Sequence, residues 1–284
     1  MKFTLKIIRV LIVITLFVLI PLCTFFYILK LPESPDASNF SAVEFVCRGG
    51  KIFGPENALS TIKTSVENGV KALEIDVQIT SDDVLVLFYD DTLGRTTNGK
   101  GKIDTMTFLQ LQSFNILHDD GSVSAEKIST LESVIKYAKT QDLLIDINFN
   151  MGVHRKREAT KKISELFEKY DLYKTAYVSS IDHRIVYRIR KKNPDIITSL
   201  ILKPKISGLH YIDNLHRSPR LARFVGVGII KPHYNLLKKR FVRKWQRKGY
   251  IIHAKMVESK DVRDDLISRD ISVTTRCPNC SCEK

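Results

Sequence analysis

The chain of 284 residues is read as an α/β protein, a TIM (β/α)8 barrel preceded by one transmembrane helix. Three observations predict this. From residue 43 onward, short β-rich runs alternate with helical patterns, the mark of a parallel sheet with crossover helices. About eight such units fit the roughly 250 residues typical of a closed barrel. An uncharged run over residues 10–29 is long enough to cross a bilayer at helical rise. An open doubly wound sheet is the alternative, but no Gly-x-Gly-x-x-Gly turn follows the first strand.

Taken in order, the chain begins with Lys2, Lys6 and Arg9 before the apolar run; Lys30, Glu33 and Asp36 follow it. The positive-inside rule then puts the N-terminus in the cytoplasm. The protein is expected to be single-pass, type II, with its barrel lumenal or extracellular. Pro21 is tolerable in a membrane helix. A cleaved signal peptide is the rival reading, but its apolar core should be shorter, and no clear small-x-small site follows directly. Residues 1–30 are thus the N-terminus and anchor, and 31–42, polar with two prolines, a tether. Residues 43–277 are the barrel, and 278–284 a Cys-containing tail.

A non-cytosolic domain makes two sequons usable, at Asn39 and Asn279, and permits disulfides. Cys277, Cys280 and Cys282 form C-x-x-C-x-C, one ligand short of a four-ligand zinc site, which leaves a disulfide or loose thiols. Hydrophobic content of 44% argues against disorder. The net charge of +14 is compatible with anionic lipid, a phosphorylated ligand or nucleic acid. The inferred compartment makes the membrane bilayer the expected partner and nucleic acid not one.

Strand candidates lie at 43–47, 72–79, 84–89, 143–149, 176–180, 196–202, 224–230, 250–257 and 271–275. Helical patterns lie near 56–68, 106–113, 130–139, 156–169, 182–192, 235–247 and 259–268. Nine strands exceed eight. Ser81, Asp82 and Asp83 look like a hairpin turn, so one strand lies outside the barrel or one assignment is wrong. Residues 91–129 are too long for a simple βα loop and contain their own helix, an insertion expected to cover one side of the barrel mouth. Residues 231–249 carry the basic excess, including Lys238, Lys239, Arg240, Arg243, Lys244, Arg247 and Lys248, with no acid. Leu237, Phe241 and Trp245 form an apolar stripe, as expected of an outer barrel helix or one docking on anionic headgroups.

Functional side chains of such barrels gather at the C-terminal ends of the strands. Side chains at i and i+2 of a strand share a face, so Leu73, Ile75 and Val77 point one way and Glu74 and Asp76 the other. Adjacent carboxylates repel, increasingly so away from water; a bound cation or a basic partner would relieve this, unless the face is solvated. On 143–149, Ile145 and Ile147 point outward, leaving Asp146 and Asn148 inside. Glu74, Asp76 and Asp146 then converge, an oxygen-rich set suited to Mg²⁺ or Ca²⁺. Arg48 is a natural phosphate contact or a structural salt-bridge partner. Glu56 is also suited to a helix start. Of seven histidines, His253 sits mid-strand as a core or mouth residue.

Residues 43–98 resemble the catalytic half of the glycerophosphodiester phosphodiesterase family. The matching motifs are Arg48-Gly49-Gly50, Pro55-Glu56-Asn57, Glu74-x-Asp76, and Asp90 followed by Thr92-Leu93-x-Arg95-Thr96-Thr97. The resemblance runs to about residue 277 and weakens beyond the first third; Lys255, for example, stands where the family has Trp. Lys127, Ile128, Ser129, Thr130 and Leu131 look like the K-I-x-T-L run of the membrane-anchored animal branch. It implies a barrel of the phosphodiesterase type and metal-dependent hydrolysis of glycerophosphodiesters or lysophospholipid headgroups. It places the divalent metal, Mg or Ca, on Glu74, Asp76 and Asp146, and phosphate on Arg48 beside Glu56.

Three departures bear on activity. The family's two catalytic histidines are Cys47 and Tyr89 here, and its phosphate-directed Lys is Asn148. Unperturbed Tyr titrates near 10 and Cys near 8.5, far from histidine. One acid–base group contributes roughly 10²–10⁴-fold. Turnover is therefore expected to be weak or absent, unless Tyr89, a metal-bound water or a Cys47 activated by Arg48 supplies it. The alternative is a protein that binds a phosphodiester or lipid headgroup without turnover.

Overall fold

The computed structural model describes residues 2–20, 31–149, 155–203 and 217–276. Among these residues nine strands make one sheet: β1 (Glu44–Val46), β2 (Ala72–Ile79), β3 (Leu85–Leu87), β4 (Leu144–Phe149), β5 (Ala176–Ser180), β6 (Thr198–Leu202), β7 (Ile229–Pro232), β8 (Ile251–Ala254) and β9 (Ile271–Thr275). Their order is β1-β9-β8-β7-β6-β5-β4-β2-β3, and β1 also pairs with β2, so the sheet closes on itself. Eight strands are parallel. β3 alone runs antiparallel, pairing Leu87 with Val77, and lies outside the barrel. The Ser81–Asp83 turn thus accounts for the surplus strand: Asp83 has φ 64, and Thr80 Oγ1 accepts from Val84 N at 2.9 Å.

Of the α-helices among the described residues, one precedes β1 and the others lie between the strands. They are α1 (Lys2–Ile14), α2 (Leu59–Glu67), α3 (Phe108–Leu111), α4 (Leu131–Thr140), α5 (Lys156–Tyr170), α6 (His183–Lys192), α7 (Pro219–Phe224), α8 (Lys239–Gln246) and α9 (Lys260–Ile267). Polar side chains start several of them. Thr107 and Gln110 form a capping box before α3, and Thr130, Asp182 and Ser218 cap α4, α6 and α7. The outward strand residues Ile75, Val77, Ile145 and Ile147 pack in one core with Ile163 and Phe167 of α5. Within the barrel, Phe45, Ala72, Tyr177, Ile197 and Ile229 fill the lower layer.

Two expectations change. Residues 31–42 are not a free tether: Leu31, Ala37 and Phe40 are buried, and Phe40 packs edge-on to Tyr177 at 5.0 Å, closing the barrel from below. The fully buried Arg190 donates to the carbonyls of Pro32 (2.9 Å) and Glu33 (2.8 Å). The seventh strand is also shifted. Phe224 belongs to α7, and Gly226, at φ 69, turns the chain where an added Cβ would come within 3.1 Å of Leu31 and the Pro32 carbonyl. β7 therefore runs two residues further than expected and turns Ile229 and Lys231 inward.

Among the described residues no helix is long and apolar enough to cross a membrane. The expected span is described only as far as residue 20, through α1 and a π-helical turn (Thr15–Leu19), and residues 10–20 are exposed. Its remainder lies outside the described residues, as do Cys277, Cys280, Cys282 and Asn279. The insertion builds a core of its own from Leu93, Ile103, Leu111, Ile116 and Ile128, laid against Ala58, Val86 and Phe88.

Candidate active site

A cavity of about 470 Å³ opens at the C-terminal ends of the strands, lined by Cys47, Arg48, Glu74, Asp76, Tyr89 and Lys255 among others. Five of the expected site residues therefore meet. The insertion reaches the rim, where Asp119 pairs with Lys51 at 3.1 Å.

The carboxylates do not share a vacant point. Register places Glu74 beside Asp146, and Asp76 beside Asn148 one layer up. Between Glu74 and Asp146 lies the ammonium of Lys231, 2.6 Å from Glu74 Oε2 and also bonded to Asp146 Oδ2. Lys231 is fully buried. Lys255 donates to Glu74 Oε1 at 3.0 Å. Thr274 donates to Glu74 Oε2 (2.8 Å), and Tyr177 (2.8 Å) and Ser179 (2.5 Å) to the two oxygens of Asp146. Asp76 accepts from Asn148 (2.8 Å) and Asn57 (3.2 Å).

Every oxygen of the three carboxylates is thus engaged. A divalent cation bonds carboxylate oxygens at about 2.0–2.6 Å and would have to displace Lys231. Among the described residues no group of three or more His, Cys, Asp or Glu could hold a metal. The donor set does not fit the expected cation: a basic partner within the chain relieves the repulsion instead.

The titration of these groups follows. Burial pushes Glu74 up, but the charges of Lys231 and Lys255 outweigh it and hold the carboxyl well below its usual range. Asp76 is pushed up to about 6 by burial and then by the charge of Glu74. Burial, reinforced by Glu74, pushes the Cys47 thiol up to about 12 despite Arg48. An activated Cys47 nucleophile is therefore not what the geometry provides. Tyr89 lies beneath two guanidiniums, with Arg48 4.1 Å and Arg95 5.8 Å from its ring centroid. Glu56 ties both arginines, accepting from Arg48 and Arg95 at 2.6 Å each, so it serves the mouth and not a helix start. Arg48 (φ 52) and Asn57 (φ 59) both hold left-handed backbone conformations, joined by Asn57 N donating to Arg48 O at 2.8 Å.

The role of Lys231 is not legible in the sequence, where it opens the basic stretch of residues 231–249. Lys255 stands out there only as a departure from Trp, and Asn57 and Arg95 only as members of the matching motifs. His253 is indeed a core histidine: Nδ1 meets the Tyr177 hydroxyl at 2.5 Å and Nε2 meets Thr274 Oγ1 at 2.7 Å. Burial and then Lys231 hold it neutral. A neutral imidazole has one N–H. Its two nitrogens lie against the hydroxyls of Tyr177 and Thr274, which also reach Asp146 and Glu74, so His253 fixes the orientation of both.

The model of the glycerophosphoryl diester phosphodiesterase family matches residues 48–269. The human protein glycerophosphodiester phosphodiesterase 1 is 32% identical over 160 residues, 55% of this chain and 48% of that protein. The chain thus spans about half the length of the curated relatives it matches. Among solved structures, the Oleispira antarctica phosphodiesterase in complex with the product sn-glycerol-3-phosphate superposes with TM-score 0.71 and 19% identity, over 87% of this chain and 93% of that one. A glycerophosphodiester phosphodiesterase from Agrobacterium tumefaciens gives TM-score 0.69 and 17% identity, over 84% and 97%.

Proposed function

The chain belongs to the glycerophosphoryl diester phosphodiesterase family, and from that premise we propose that it binds a glycerophosphodiester at the barrel mouth with weak or absent turnover. One observation carries this reading. Of the two positions where the family keeps its acid–base pair, Cys47 holds a protonated thiol and Tyr89 holds a ring stacked under Arg48. Diester cleavage needs a base for the attacking oxygen and an acid for the leaving alkoxide, and neither side chain matches histidine. What remains suits binding: Arg48 and Lys255 both line the cavity and are part-exposed. A relative holding sn-glycerol-3-phosphate supports the ligand class.

Members of the family generally use divalent metals. In this chain the positions for Mg or Ca are Glu74, Asp76 and Asp146, already engaged as described. Turnover of glycerophosphocholine and glycerophosphoinositol by the full-length protein, with Mg²⁺ or Ca²⁺, tests the reading. The expected rate falls far below the enzyme scale of about 1–10³ s⁻¹; a rate within that scale would sink it. Arg48→Ala should weaken binding of sn-glycerol-3-phosphate about tenfold or more, the loss of a charged hydrogen bond.

The protein is further proposed to be anchored through residues 10–29 with its barrel outside the cytosol, on the charge bias around that run. Phe40 plugs the barrel at the N-terminal ends of its strands, so the mouth opens at the end opposite the point where the anchored segment enters. That arrangement favours a water-soluble glycerophosphodiester over a lysophospholipid still in the same bilayer. In sealed microsomes the barrel should resist added protease, and Asn39, exposed in a 3-10 turn, should carry glycan. Digestion of the barrel from the cytosolic side would defeat the assignment.

A further inference from the structure

We propose that Lys231 and Lys255 take the place of a divalent cation, making the mouth a metal-independent site for a phosphate-bearing anion. Two ammoniums carry the same charge as one divalent ion. One of them sits where a bridging cation would sit, between Glu74 Oε2 and Asp146 Oδ2. Its position is enforced by register. β7 pairs Lys231 with Ile201 and turns it inward above Ile229, while Ile230 faces the outer core. Fully buried, it has no solvent to retreat to, and withdrawing it would leave two buried carboxylates facing each other.

The second ammonium differs in exposure. The Lys255 side chain is 22% exposed and lines the cavity, so it bonds Glu74 below and faces the open cavity above. The rest of the lining favours an anion. Arg48, Lys51, Lys255 and Arg276 face three carboxylates there, and one of those, Glu74, is already neutralised from beneath by Lys231. A phosphate entering this cavity therefore meets fixed positive charge without a metal to bridge it. The ligand class rests on the phosphate-binding reading above; the replacement of the cation does not.

The test uses full-length protein in EDTA, in Mg²⁺ and in Ca²⁺, reading melting temperature and calorimetric binding of sn-glycerol-3-phosphate. The wild type should show the same melting temperature and the same affinity in all three. Lys231→Met, which frees Glu74 and Asp146, should gain a melting-temperature rise on adding metal. Lys255→Met should weaken the ligand about tenfold or more in EDTA. A wild-type rise with metal that Glu74→Gln abolishes would overturn the proposal, as would binding that EDTA removes or a Lys255→Met variant of unaltered affinity. If Lys231→Met fails to fold, the wild-type titration and Lys255→Met still decide. If the ligand binds under no condition, the phosphate-binding reading fails. The metal titration then judges the lysines alone, a wild-type response overturning the assignment and a response confined to Lys231→Met supporting it.

Discussion

Cys47→His combined with Tyr89→His should raise hydrolysis of glycerophosphocholine by roughly 10²–10⁴-fold over the wild-type chain, the contribution of general acid–base catalysis. Both positions line the same cavity, and Arg48 and Asp76 line it with them. Histidine brings a pKa near 6.5, where a thiol pushed up to about 12 offers no base at neutral pH. The change at Tyr89 removes a ring from beneath Arg48, but the guanidinium stays tied to Glu56 at 2.6 Å. Either change alone should do much less, because base and acid act as a unit. The measurement is a steady-state rate for both single variants and the double, beside binding of sn-glycerol-3-phosphate. A double variant that binds yet stays inert would show that missing proton transfer is not what limits this mouth.

Much of the barrel was legible because period-2 alternation is a local signal. The bounds of β2, β5 and β9 coincide with the runs read from residues alone, and of the two readings that the Ser81–Asp83 turn leaves open, a strand outside the eight is the one observed. Long-range placement was not legible. Residues 31–42 look like a tether because prolines and polar side chains dominate them. Nothing nearby in sequence announces that Phe40 reaches Tyr177. The run 224–230 was read as a strand on its valines and isoleucines, while Gly226 and Gly228 mark a close approach of backbone to residues 31–37.

That shift of register explains the largest gap at the site. The period-2 alternation of β2 and β4 puts Glu74, Asp76, Asp146 and Asn148 on the inner face, where they meet one another and Lys231. Their counter-ion was not legible, because Lys231 fell just past the assumed end of its strand and was counted with a surface helix. Extending the same alternation by two residues from Ile229 would have turned it inward. Composition sums charge along the chain and cannot separate a solvated lysine from one enclosed by a barrel; α8, by contrast, has the surface stripe expected of it, with Val242 and Trp245 buried. Departures at Cys47 and Tyr89 were visible as residue types, but the arginines over Tyr89 appear only in three dimensions.

Lys231→Met should cost about 3–5 kcal/mol of folding stability, the usual penalty for removing one partner of a buried ion pair. Both carboxylates it touches are almost wholly enclosed, Glu74 at 3% and Asp146 at 0% side-chain exposure. Without the ammonium they face each other across a low-dielectric interior. Adding Asp146→Asn to Lys231→Met removes one charge of that pair and should recover part of the loss, which equilibrium urea unfolding of the set would measure as a coupling energy. The pH dependence has a definite sign. In the wild type the folded-state pKa of Glu74 lies well below its ordinary value, so its contribution is present above pH 4.5 and is lost as pH falls through the folded value. In Lys231→Met that pKa rises, because burial then opposes ionisation with only Lys255 and the Thr274 hydroxyl against it. The stability gap between wild type and variant should therefore narrow as the pH is lowered from neutrality towards 4. A gap that stays constant across that range, or a double variant less stable than Lys231→Met alone, would mean that Lys231 is held by packing and not by the carboxylates it touches.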